Sequence, residues 1–200
     1  MIRVFGLIVA LAALIAPAQA ALLTYGFANT AVGVVDPVSA GTAANFAGSG
    51  FVDATKWNTA GLGTTRLNNF SFTASGSSPG IAIKDLVVNA RRGTATSPNG
   101  AQIEVFYNIG ATSTGVSGTS LGSNTLSSTA TPFASDINVQ LSAGQTIHFT
   151  IRSSRTGTYA GTAMFEDITL NGDLVPEPTS MAVFGLLGAG IAARRIRRKV

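Results

Sequence analysis

Between residues 21 and 174 apolar and polar positions alternate with period two in several short runs. In Leu22 to Phe27, Leu23, Tyr25 and Phe27 share one side. In Leu67 to Ala74, Phe70 and Phe72 face one way and Asn69, Ser71 and Thr73 the other. Ile81 to Ala90 begins in step at Ile81 and Ile83, loses phase at Lys84-Asp85, and resumes at Leu86 and Val88. A slip of that kind predicts a bulge. Gln102 to Ile109 alternates most cleanly, with Ile103, Val105, Tyr107 and Ile109 inward and Glu104, Phe106 and Asn108 outward. Ile137 to Leu141 and Ile147 to Ile151 flank Ala143-Gly144 and predict a hairpin. Ala163 to Leu170 reads as the last strand, closed by a turn at Asn171-Gly172-Asp173. A short strand is also expected near Leu121 to Leu126, and one weak strand within the loop-like stretch 30–50. Eight to ten such strands with frequent turn signals and no amphipathic helix predict an all-β fold: an antiparallel, jelly-roll-like β-sandwich.

The two ends of the chain break this pattern. Residues 1–20 have the layout of a secretory signal peptide: Arg3, an apolar run, Pro17, then Ala18-Gln19-Ala20 as a small-x-small cleavage site. Cleavage is expected after Ala20. At the other end, Val175-Pro176-Glu177-Pro178 is a stiff extended strip, because each proline fixes its own φ and pushes its predecessor toward extended geometry. Thr179 to Ala193 follows without a charge. As a helix it spans roughly 22 Å at 1.5 Å per residue, short for a bilayer core of about 30 Å. Arg194, Arg195, Arg197, Arg198 and Lys199 then cluster in residues 194–200, a basic stop-transfer tail that holds the C-terminus in the cytoplasm. The expected organisation is a signal segment over 1–20 with a helical core, a sandwich domain over 21–174, and a C-terminal signal over 175–200 with a short transmembrane helix at 179–193.

Charge sharpens this division. The whole chain is formally +4, but residues 21–174 hold seven Lys or Arg against eight Asp or Glu, a net of −1. The basic excess belongs to the tail, so nucleic acid is not an expected partner. There is no cysteine, which excludes disulfides, thiolate nucleophiles and Cys-ligated metals.

A Val-Pro-Glu-Pro motif, a short hydrophobic segment and a terminal Arg cluster behind a signal peptide together resemble the PEP-CTERM sorting signal of Gram-negative bacteria. The resemblance covers residues 175–200. It implies that exosortase, a membrane-embedded cysteine transpeptidase, recognises and removes the tail, and that the protein is linked to exopolysaccharide and biofilm. It further implies transient single-pass anchoring in the inner membrane, with the domain in the periplasm, and then a place at the cell surface or outside it. The ending Phe165-Glu166-Asp167-Ile168-Thr169-Leu170-Asn171-Gly172 is similar to the ends of sandwich domains that precede such tails.

Little in the domain reads as catalytic. Gly118-Thr119-Ser120-Leu121-Gly122 matches G-x-S-x-G, but a hydrolase elbow needs a strand before it and a helix after it. His148, the one histidine, falls on a polar strand face without a visible nucleophile or orienting group. Glu166, Asp167 and Asp173 are weak calcium candidates, with Asp36 and Asp53 in loops. No spaced calcium loop is present, so no cofactor is expected apart from a structural calcium at these acids. Trp57, Phe106 and Tyr159 are candidates for stacking on sugar rings. The leading expectation is an exported, non-enzymatic surface or matrix protein. The alternatives are a carbohydrate-binding module and, behind it, a secreted hydrolase.

Overall fold

A computed structural model describes residues 20–27, 31–35, 41–53, 56–59, 61–62, 65–75, 80–93, 100–110, 116–155 and 161–175. The expected signal helix and the apolar stretch 179–193 lie outside these residues. Among the described residues every regular element is a strand, and no helix is long and apolar enough to cross a membrane.

The described residues form thirteen strands: β1 (Ala20–Tyr25), β2 (Val34–Val35), β3 (Gly41–Ala43), β4 (Ala47–Gly48), β5 (Gly50–Asp53), β6 (Lys56–Thr59), β7 (Arg66–Ala74), β8 (Ile81–Arg92), β9 (Ala101–Ile109), β10 (Thr119–Leu126), β11 (Thr131–Leu141), β12 (Thr146–Arg155) and β13 (Ala163–Leu174). They form two antiparallel sheets. The seven-stranded sheet runs β11-β8-β13-β1-β2, with the β5-β6 pair joined to β13 through β6. The six-stranded sheet runs β10-β9-β12-β7-β3, with β4 also on β7.

The sheets pack face to face because each strand buries alternate residues. Phe70 and Phe72 of β7, Ile103 and Val105 of β9, and Ile147, Phe149 and Ile151 of β12 supply one inner face. Ile81, Ile83, Leu86 and Val88 of β8, with Phe165, Ile168 and Leu170 of β13, supply the other. Tyr25 spans the two layers, its ring edge-on to Phe70 at 5.4 Å.

The bulge read at Lys84-Asp85 is present. Asp85 pairs with Asn171 and Ile83 with Gly172, so Lys84 is an extra residue relative to β13. A second bulge, not foreseen, lies at Glu166, between the pairs Phe165–Ala90 and Asp167–Asn89.

Three expectations are corrected. First, β11 and β12 are no hairpin. β11 pairs with β8 in one sheet, and β12 pairs with β7 and β9 in the other. The tight turn is real, with Gly144 at φ 77, but it carries the chain across the core. Gly144 N donates to Ala74 O, and Ala74 N to Gln145 O, which fixes the crossing on β7. Second, Asn171-Gly172-Asp173 is not a turn but the last third of β13. The bulge opposite realigns it, and Asn171 Nδ2 donates to Asp85 Oδ1 at 2.7 Å. Third, the stretch 30–50 holds β2, β3 and β4 and delivers Phe46 to the core. Strands this short carry too few alternations to announce themselves.

Candidate functional site

β13 is the element that delivers the C-terminal segment. Its last rung pairs Leu174 with Ile81, and Val175 N still donates to Gly80 O at 3.0 Å. The next residue is Pro176, which has no N–H with which to continue the ladder. β1 enters at the same place: Ala20 pairs with Gly172 and Ala21 with Asn171. Both chain ends thus leave the sandwich side by side at one end of the seven-stranded sheet. Cleavage after Ala20 would leave Ala21 as the first residue of the first rung. Ala18, Pro176, Glu177, Pro178 and the basic residues Arg194, Arg195, Arg197, Arg198 and Lys199 lie outside the described residues.

The outer face of the seven-stranded sheet is a set of satisfied cross-strand pairs. Arg91 Nε donates to Glu166 Oε1 at 2.7 Å, Asn89 Nδ2 to Asp167 Oδ1 at 2.8 Å, and Lys84 forms an ion pair with Asp173. The calcium candidates Glu166, Asp167 and Asp173 are the acids of these pairs. Strand geometry holds Asp167 and Asp173 about 20 Å apart at ~3.3 Å per residue, so they do not converge on one ion. Among the described residues no three His, Asp or Glu side chains gather as a metal site.

The outer face of the six-stranded sheet is polar and nearly uncharged. Thr73 Oγ1 and Thr146 Oγ1 lie 2.8 Å apart, and Thr150 Oγ1 donates to Asn69 Oδ1 at 2.8 Å. His148 stands in register between Ser71 and Asn108. Arg152 pairs with Glu104 and lies over the Phe106 ring, 5.6 Å from its centroid.

Of the sugar-stacking candidates, Trp57 and Phe106 do not form a platform. Phe106 is on the outer face as expected, but Arg152 covers it and it is only 8% exposed. Trp57 is 7% exposed and belongs to the core. Its indole N–H donates to Asn68 Oδ1 at 3.0 Å, and its ring meets Phe46 edge-on at 5.1 Å. Burial takes both rings away from a planar ligand. Tyr159 lies outside the described residues.

The G-x-S-x-G match runs from Gly118, just before β10, into the strand, rather than lying between a strand and a helix. Ser120 sits opposite Phe106, and Phe106 opposite Thr150. Two strand spacings, about 10 Å, therefore separate Ser120 from the strand that carries His148.

One inner-face contact had no signal in the sequence. The Tyr25 hydroxyl, buried between the sheets, donates to Ala44 O. Burial pushes the phenol's ionisation well above its ordinary range.

No curated protein matches the chain in sequence. Solved structures similar to it include the CBM22-1 xylan-binding domain from Paenibacillus barcinonensis, at 9% identity over 80% of this chain and 99% of that one, with a TM-score of 0.40. TmCBM61, solved with β-1,4-galactotriose, is 13% identical over 66% of this chain and 81% of that one, with a TM-score of 0.35. A family two carbohydrate esterase from Cellvibrio japonicus is 11% identical over 69% of this chain, with a TM-score of 0.35. This chain covers 36% of that esterase, about a third of its length. Residues 174–199, which begin at the last rung of β13, match the family model of the PEP-CTERM protein-sorting motif, so this is a protein that carries a PEP-CTERM sorting domain behind an antiparallel β-sandwich.

Proposed function

We propose that the protein is an exported, non-enzymatic surface or extracellular-matrix protein, sorted by exosortase and associated with exopolysaccharide. The match of residues 174–199 to the sorting motif carries this reading. The position of the motif supports it. Val175, the last described residue, is still bound to the sheet, and Pro176-Glu177-Pro178, a strip that its prolines stiffen, follows it directly in sequence. Such a strip suits a cleft that takes extended peptide. Before processing, the domain hangs outside the inner membrane from its C-terminal anchor. Afterwards it is released to the surface or the matrix.

The test is fractionation of cells that carry an exosortase. The natural chain should distribute to the cell surface or medium, and a Pro176→Ala/Glu177→Ala double variant should stay in the membrane fraction. Equal distribution of the two would contradict the proposal.

A second reading, a module that binds a neutral polysaccharide, draws on the face that carries Asn69, Ser71, Thr73, Asn108, Thr146 and His148. Hydroxyls and amides in register on one sheet face match the donors and acceptors of a sugar chain. If this reading holds, Ser71→Ala with His148→Ala should lower retention on immobilised exopolysaccharide several-fold. Unchanged retention would leave the face as ordinary wet surface.

A further inference from the structure

The end of the sandwich that releases both chain ends has two properties in common. The first is the length of its tether. Val175 is still hydrogen-bonded to Gly80, and the uncharged stretch begins at Thr179. Three residues lie between, so four residue steps separate Val175 from Thr179, about 13 Å when fully extended. Two of the three are prolines with fixed φ. The headgroup layer on one side of a bilayer is itself about 5–8 Å deep. A tether that short holds this end of the folded domain within a few ångström of the headgroups.

The second property is a scarcity of cations. The pairs Leu23–Val35, Gly41–Ala74, Leu141–Ile81, Thr146–Thr73, Ile147–Ile109 and Thr119–Tyr107 bring the connections 36–40, 75–80, 110–118 and 142–145 to this same end. These connections contain no Lys or Arg, and their one charged residue is Asp36. The nearest cation, Lys84, is paired with Asp173. Lys56, Arg66, Arg91, Arg92, Arg152 and Arg155 fall on the half of the sandwich remote from it, where Arg92 pairs with Ala163, Arg155 with Ala101 and Arg66 with Ser153. Attraction to anionic headgroups alone would turn that remote end toward the bilayer. The tether imposes the opposite orientation.

We infer that in the anchored precursor this cation-poor end of the sandwich is held at the membrane surface by its tether, and that the folded domain thereby limits how fast its own sorting segment is processed. This rests on the exosortase reading above. An enzyme that takes an extended strip needs residues on both sides of the bond it cuts. On the domain side, Leu174 and Val175 are held in the sheet. Processing must wait until the Leu174–Ile81 rung and the Val175–Gly80 hydrogen bond open, or must precede folding.

The experiment uses the full chain in cells carrying an exosortase. A flexible insert of Gly and Ser residues between Leu174 and Val175 leaves the motif intact and lengthens the tether. Pulse-chase should show the inserted chain processed several-fold faster than the natural one. Equal rates overturn the inference and leave the exosortase reading standing. Absence of processing in both chains overturns the reading and the inference with it. A second measurement needs no insertion. The chain has no native cysteine, so Ala143→Cys at the tethered end and Ser128→Cys at the remote end, both exposed positions, can each carry a polarity-sensitive dye. In the membrane-anchored precursor the dye at 143 should emit to the blue of the dye at 128, and the difference should vanish in a chain ending at Pro178. Identical emission from the two positions in the precursor overturns the inference.

Discussion

Phe46 holds the centre of the aromatic core although its neighbourhood in the sequence looks like loop. Its ring lies 5.1 Å from both Phe27 and Trp57, 5.8 Å from Phe165, 5.9 Å from Tyr25 and 6.0 Å from Phe70. Phe46→Ala should therefore cost about 3–5 kcal/mol, read as a lowered denaturation midpoint followed by Trp57 fluorescence; a cost below about 1 kcal/mol would be inconsistent with this packing. Tyr25 makes a pH-dependent prediction. The unfolded chain releases the phenol proton near pH 10, whereas burial keeps the folded phenol protonated to higher pH. Its contribution is thus fully present below about pH 10 and is lost as pH rises above that value. Tyr25→Phe removes this term. The melting temperature of the natural protein should fall more steeply above about pH 10 than that of the variant, while near neutrality the variant should lose about 1–2 kcal/mol for the unsatisfied Ala44 carbonyl. At this scale the sequence showed which residues alternate but not which neighbours cover them. Phe106 was placed on the outer face correctly, yet Arg152 covers it from an adjacent strand, and Trp57 had no periodic context to mark it as core.

Strand β13 shows where element-level reading works and where it stops. The two-residue period made β7, β9 and β12 plain, and the phase slip at Lys84-Asp85 revealed a bulge before any partner was known. The Asn171-Gly172-Asp173 run looked like a turn because its composition is that of turns. In the fold it is strand, because the bulge on β8 supplies a matching offset and Asp85 accepts from Asn171. Gly172 is needed there for close approach. A side chain would strike the Ala82 carbonyl and the Leu22 side chain. Gly172→Ala should destabilise the domain by about 1–3 kcal/mol, and amide exchange should rise first at Leu22 and Leu23 of β1. Uniform exchange across both sheets would contradict a local role. The β11–β12 turn teaches the same limit from the other side. Local chemistry fixes that the chain reverses at Ala143-Gly144, but pairing depends on long-range contacts, and these send the two strands to different sheets.

For the whole molecule, the sandwich class and the sorting motif behind it were the most legible features, because they rest on alternation and runs of composition rather than on particular contacts. The tail carries five basic residues, and their removal changes the molecule's charge. The full chain has a pI near 10.0. Residues 21–178 hold seven basic and nine acidic residues, a net of −2 with His148 neutral. Isoelectric focusing of the exported form should therefore show an acidic species, and a basic one would mean that the tail is still attached. The measurement that tests the central claim most directly is intact mass. The protein, expressed with and without an exosortase, should begin at Ala21 in both cases but lose its C-terminal segment near Pro178 only when the enzyme is present. An identical C-terminus in both strains would contradict the account.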